Sequence, residues 1–406
     1  MIILNIKMEL TNFIKNNNIT DFNILKQTLE HEPFYLGIKE DNDFNPNLFL
    51  IYTTNKSDIN IKLVRECNGI ILEKNTFKIC CYTFDKCFDN DNEITSNINF
   101  DYDDLYIESA IEGTLIRLYF YNNIWNISTK KCLDASKSRW LSNRNFSELF
   151  YEVLSEVLSN NGVNLNEFCA TLNTNYCYSF ILAHVENKMV VNYYENNLYH
   201  ISTRDLTTLN EIHTNIGIKQ IEKVKLEKDV ISNVIKAINE TNTLQHEGFI
   251  FIDKNYNRHK IRTPIFNKAR ELWGNTNNRF QRYLELRKDV NLFSTYLEVF
   301  PNDRESFVNY EATLDQLTTT ILEYYYSKHI NKNNVHIPYC FAKVIYNLHG
   351  DFIKTKIFTD FNKIKLYLID LAPNKVIFMK THYEKFLFNE KQKLLNPDIT
   401  EAMMEE

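Results

Sequence analysis

Glycine and proline are scarce in this chain, at 8 and 7 of 406 residues, too few for a collagen-like or Pro-rich low-complexity sequence. No apolar run approaches the 18 or so residues that a membrane-spanning helix needs. The opening MIILNIKM is too short an apolar stretch for a secretory leader, and Lys7 and Glu9 interrupt it. The eight cysteines, at 67, 80, 81, 87, 132, 169, 177 and 340, include no CxxC pair, and the nearby histidines lack zinc spacing. They read as reduced thiols of a protein made inside a cell. A net charge of −6 and a pI of about 6.0 exclude a globally basic nucleic-acid binder, though not a local basic patch.

What is present is ordinary for a globular protein: 44% hydrophobic and 24% charged residues, in a chain long enough for two to three domains. Asn is the outlier at 54 residues, scattered through the chain. That fits an A/T-rich coding genome, such as that of a large cytoplasmic DNA virus, and with no targeting signal it leads to the expectation of a cytoplasmic protein.

Charge is segregated. Between Asp85 and Glu112 stand nine carboxylates (Asp85, Asp89, Asp91, Glu93, Asp101, Asp103, Asp104, Glu108 and Glu112) and one cation, Lys86. Between Lys254 and Lys288 stand ten Lys or Arg and two acids, interleaved with Tyr256, Phe266, Trp273, Phe280 and Tyr283. Cations among aromatics suit a phosphate-bearing strand with bases to stack on; a solvated amphipathic helix is the competing reading.

Alternating apolar patterns predict strands at Cys67–Glu73, Phe77–Thr83, Thr114–Tyr121, Trp125–Ser128, Cys177–Ala183, Lys188–Tyr193, Leu198–Ser202, Gly248–Asp253 and His259–Arg262. Helical periodicity covers Phe146–Leu158, with Asn145 as N-cap, and Val224–Ile238. After about 275 the pattern changes, and Arg279–Val290, Asp303–Lys328, Tyr339–Leu348 and a series from Asn362 suit helices. The expected fold class is α+β: an antiparallel body over residues 1–275, then a mainly helical domain over 276–406.

Because Gly is scarce, three pairs stand out, each before an apolar strand: Asn68-Gly69 in ECNGIILE, Glu112-Gly113 in AIEGTLIRLYF, and Glu247-Gly248 in HEGFIFI. A carboxylate at a strand start with Gly behind it leaves room for a ligand to approach the backbone. Lys260 and Arg262 follow in HKIRTP, on one strand face at i, i+2.

In this order the segments resemble the bacteriophage-type (T4-like) RNA ligases of the covalent nucleotidyltransferase superfamily, over about residues 45–275. CYTFDKCFDNDNE resembles the segment that carries a phosphate-contacting lysine, here Lys86. AIEGTLIRLYFYNNIWNISTKKCLDA resembles the nucleotide-binding strand pair, and YCYSFILAHVENKMVV, HEGFIFI and HKIRTP the later motifs. The resemblance implies an antiparallel-sheet, ATP-grasp-like ligase body that takes ATP or GTP with Mg²⁺ and acts on RNA. In such proteins a lysine attacks the α-phosphorus; that position is Ala110, and a methyl group forms no phosphoramidate. The resemblance further implies Glu112 at the ribose, Glu247 at the metal, and Lys260, Arg262 and Lys130 or Lys131 at the triphosphate. Lys268, Arg270, Arg279 and Arg282 would lie along RNA. Asn68 replaces an expected Arg, and Ser179 or Phe180 an expected Glu. The chain is therefore expected to be a pseudo-ligase that holds a nucleotide or RNA end without forming a lysyl-nucleotide. The alternative is an active ATP-dependent RNA ligase whose lysine at 110 was replaced. For Lys86 a structural ion pair is an equally open reading, and for Trp125, Trp140 and Trp273 core packing is the plainer one.

Overall fold

The computed structural model describes residues 8–89 and 104–395; of the acidic stretch, Asp91, Glu93, Asp101 and Asp103 lie outside them. The chain divides at Arg270 into two compact units.

Unit 1 opens with α1 (Glu9–Asn16) and α2 (Phe22–Glu30), then β1 (Leu36–Glu40), β2 (Leu48–Thr53), α3 (Lys62–Glu66), β3 (Ile70–Glu73) and β4 (Ile79–Cys81). The four strands pair antiparallel in sequence order, and Leu10, Leu25, Phe49, Val64 and Ile70 form a core beneath the helices. No side chain of its own caps α1. Its first amides donate instead to Glu66, Glu9 N to Oε1 and Leu10 N to Oε2, both at 3.0 Å. A buried carboxylate thus satisfies donors that a helix start leaves orphaned. Glu66→Ala should lower the stability of the chain by about 1–2 kcal/mol. Urea unfolding measures this, and an unchanged midpoint would dismiss the capping role.

Next come β5 (Phe88–Asp89), β6 (Leu105–Ala110), β7 (Thr114–Tyr121), β8 (Ile124–Thr129), α4 (Phe146–Asn160), α5 (Leu165–Thr171), β9 (Tyr176–Ala183), β10 (Asn197–Asp205), β11 (Glu211–Ile212), β12 (Val224–Leu226), α6 (Ile231–Glu240), β13 (Gly248–Ile252) and β14 (Arg258–Arg262). They build two five-stranded sheets, ordered β11-β10-β9-β7-β8 and β12-β6-β13-β14-β5, antiparallel except for β14 with β5. Asn122 and Asn123, both at positive φ, close the two-residue turn between β7 and β8, as a type I′ hairpin requires. Asn145 and Glu148 form a capping box on α4.

Strand alternation decides what each sheet buries. In the first, Ile116, Leu118, Phe180 and Leu182 pack under α4 with Phe150 and Val153. In the second, Leu105, Ile107, Phe251 and Ile261 pack under α6 with Ile231 and Ile238. The opposite face of the first carries Leu115, Ile181 and Ile201, and that of the second Glu108, Ala110, Ile250, Lys260 and Arg262; all of these line a common space.

Two expected elements differ. Lys188–Tyr193 is no strand, because Val190 N and Val191 N donate to Glu112 Oε2 at 2.9 and 2.8 Å instead of joining a ladder. The helix expected at Val224–Ile238 begins only at Ile231; Val224–Leu226 pairs with β6.

Unit 2 is helical: α7 (Pro264–Trp273) leads across the division to α8 (Arg279–Leu286), α9 (Val290–Val299), α10 (Arg304–Tyr325), α11 (Tyr339–Thr355), α12 (Phe361–Asp370) and α13 (Pro373–Leu395). Tyr296, Phe307, Ile321, Tyr325, Phe341 and Ile364 centre its core. Of the three consecutive tyrosines, Tyr325 is buried, Tyr324 packs on Phe341 and Tyr326 is exposed. The chain is α+β, as expected. No helix among the described residues is long and apolar enough to cross a membrane.

Candidate functional site

The end of β6, the segment 111–115, the segment 84–89, Asn68, Lys130 and the cavity-facing side chains of β13 and β14 enclose a space of about 250 Å³. Asn68, Lys86, Ala110, Gly113, Lys130, Glu247, Lys260 and Arg262, singled out from sequence, all line it. A second hollow of about 670 Å³ shares Glu108, Ile201 and Ile221 with it.

The glycines work differently from the expectation that they admit a ligand. A Cβ on Gly248 would overlap Ile261 O, and one on Gly113 would meet Leu182 O at 2.6 Å. Each lets a neighbouring strand come close. Gly248 at φ +158 fixes Glu247 at the cavity rim, with Glu247 N on Ala110 O at 3.0 Å.

Glu247 holds two cations. Its Oε1 accepts from Arg262 Nε at 2.6 Å, and its Oε2 accepts from Lys260 Nζ at 3.3 Å. Burial would raise this carboxyl, but Lys260 and Arg262 outweigh it and hold it below the usual carboxylate range. Arg262 also pairs with Asp89 at 3.5 Å. Lys86 Nζ touches Thr53 Oγ1 at 3.5 Å and makes no salt bridge among the described residues. Burial, then the Lys86 ammonium, bring the Lys130 amine down to about 8, opposed by Cys87 and Asp89. Lys131 is exposed, over the Tyr52 ring.

Glu112, expected at the ribose, is not among the side chains that line the cavity. It stands behind the wall, its Oε2 holding the 190–191 amides, and Arg270 Nη1 comes within 3.9 Å of Oε1. That Oε1 is buried with no hydrogen bond, as is Asn68 Oδ1. Burial raises the Glu112 carboxyl against those two amides. Alternation separates the candidates for the third motif: Phe180 belongs to the α4 core, while Ser179 shares the face of cavity-lining Ile181.

Two of the basic residues expected along RNA make contacts within unit 2. Arg279 lies 3.7 Å from the Trp273 ring centroid and pairs with Asp303 at 2.8 Å. Arg282 donates to Leu272 O and pairs with Glu285. Both are engaged within unit 2. Lys268 stays exposed on α7. Trp125 packs on Phe120 and Tyr178, Trp273 is buried, and Trp140 is exposed.

Sequence reasoning missed Glu108, Cys87 and Arg258 in the wall. Glu108 stands at i−2 from Ala110, so strand period was a usable signal. Burial raises its carboxyl, with Lys223 opposing from 4.0 Å. Among the described residues no three His, Cys, Asp or Glu are grouped to hold a metal.

No family model matches the chain. It is 26% identical over 242 residues to an "Immediate-early protein ICP-46 homolog" of Invertebrate iridescent virus 3, covering 57% of this chain and 52% of that one. It is 27% identical over 163 residues to a "Putative RNA-ligase" of African swine fever virus (isolate Tick/Malawi/Lil 20-1/1983), covering 36% and 35%. The match thus spans about half of one relative and a third of the other. A solved archaeal ATP-dependent RNA ligase aligns at 9% identity and TM-score 0.43, covering 75% of this chain and 74% of that one.

Proposed function

We propose that unit 1 is an RNA ligase-like body that takes a nucleoside triphosphate, or the phosphorylated end of an RNA, into the cavity between its five-stranded sheets. It is a pseudo-ligase at the motif position, because Ala110 offers no nucleophile there. The observation that carries this reading is the convergence of Lys86, Lys130, Lys260 and Arg262 on one cavity in a chain of net charge −6. Cations gathered around one small space are complementary to a chain of phosphates. The RNA-ligase name of a viral relative supports the same reading. Lys268 and Arg270 on α7 would meet the RNA backbone.

The residues present fit Mg²⁺ that arrives with the nucleotide. Glu247 and Asp89 are carboxylates of the wall, and Mg²⁺ is commonly held by one or two carboxylates with phosphate oxygens and water. When bound, the ion would supply charge neutralisation to the phosphates. The buried Oδ1 of Asn68, which lines the cavity and has no hydrogen-bond partner among the described residues, is an acceptor that a sugar hydroxyl or base amine could satisfy. The alternative of an active ligase with Lys at 110 uses the same cavity, and the codon at 110 in the natural gene separates the two.

Lys86→Ala is the cleanest test, since among the described residues its amine has no carboxylate to leave unpaired. It and Lys260→Ala should each weaken binding of short single-stranded RNA and reduce the magnitude of the salt slope by roughly 0.7 for each phosphate no longer neutralised. Lys137→Ala, which removes a surface pair with Asp41, should change little. Filter binding across a salt series decides. Parental affinity in the Lys86/Lys260 double variant would make the cavity a solvated surface.

A further inference from the structure

The backbone on either side of Lys130 is held by several contacts. Buried Arg117 donates to Thr129 O at 2.6 Å through Nη2 and to Gly69 O through Nη1. Gly69, at φ +90, lies so close that a Cβ there would meet Lys130 O at 2.6 Å. Thr129 and Cys132 exchange backbone hydrogen bonds around the turn. From this platform the Lys130 side chain enters the cavity that Ala110 lines. Among the described residues nothing hydrogen-bonds its amine.

We propose that Lys130 is a relocated nucleotidyl acceptor, whose Nζ attacks the α-phosphorus of a nucleoside triphosphate bound in this cavity. An N–P bond forms, the bond from the α-phosphorus to the bridging oxygen breaks, and pyrophosphate leaves with that electron pair. The amine's proton passes to water. A nucleophilic lysine has to be partly neutral beside cations that bind phosphate. Lys130 meets both conditions: its amine is held at about 8 by burial and Lys86, and Lys260 stands within electrostatic reach. The proposal rests on the nucleotide reading of the cavity and confines the pseudo-ligase label to position 110.

The test incubates the full chain with α-labelled ATP or GTP and Mg²⁺, maps the labelled peptide by mass spectrometry, and measures nucleotide binding in parallel. The expected result is one adduct on Lys130, lost in acid and stable in alkali as a P–N bond requires. Lys130→Arg keeps the cation and removes the attacking amine, and should lower labelling at least a hundredfold. Bound nucleotide without label, or label unchanged in Lys130→Arg, overturns the relocated nucleophile and leaves the binding site standing. Neither binding nor label overturns both readings together.

Discussion

Replacing Arg117 by Met should destabilise the protein by about 3–5 kcal/mol, enough to shift its thermal midpoint by on the order of 10 °C. The side chain is fully buried on β7, and its guanidinium bridges the carbonyls of Gly69 and Thr129, from β3's approach and from the end of β8. No carboxylate pairs with it among the described residues. Met fills similar volume, so a cavity is not the main cost. The loss comes from two buried carbonyls left without donors, each costing about 1–3 kcal/mol, together with two charge-assisted hydrogen bonds. Against a total of about 5–15 kcal/mol for a typical domain, that loss is a large share of the stability. Scanning calorimetry of parent and variant measures it. A midpoint within about 2 °C of the parent would show that solvent or backbone relaxation satisfies those carbonyls, and the rigidity argued for Lys130 would go with it.

Arg117 also shows where the sequence stops being legible. In TLIRLYFY it occupies the polar phase of an alternating strand and looks like a surface residue; β4, packed against that face, buries it. The strand run itself is readable, because alternation and scarce Gly punctuate it, and β7 covers the expected residues. Lys188–Tyr193 fails for a long-range reason: its apolar run has strand character, but a carboxylate 78 residues away takes Val190's amide. Val224–Leu226 is likewise claimed by the free edge of β6. The cation runs mislead in the same way. Lys260 and Arg262 are placed by a local period of two, which survives folding, whereas Arg279 meets Asp303, 24 residues on, and no local pattern reveals that. The candidate site was readable as a set of motif positions. Lys130 was among those positions, but the setting of its amine was not readable, because it depends on Arg117, Gly69 and Lys86 at once.

Ala110→Lys should convert position 110 from unlabelled to labelled in the adduct experiment, most clearly in a Lys130→Ala background. Ala110 ends β6 with its side chain on the cavity face, paired with Gly248 on β13. A lysine there extends into a space of about 250 Å³ rather than into packed core, so the overpacking that costs about 1–3 kcal/mol in a tight interior is avoided. Its ammonium would face Lys86, Lys260 and Arg262, and like charges at close range disfavour the charged form. The neutral amine that attack requires is therefore favoured by the wall already present. Glu247 works in the other direction, but its two oxygens are engaged by Lys260 and Arg262. Mapping the label to 110 would show that the α-phosphorus of a bound nucleotide comes within reach of the β6 end. A folded variant that binds nucleotide and stays unlabelled at 110 would place the reacting phosphorus elsewhere, and the likeness to the ligase motif would then extend to binding alone.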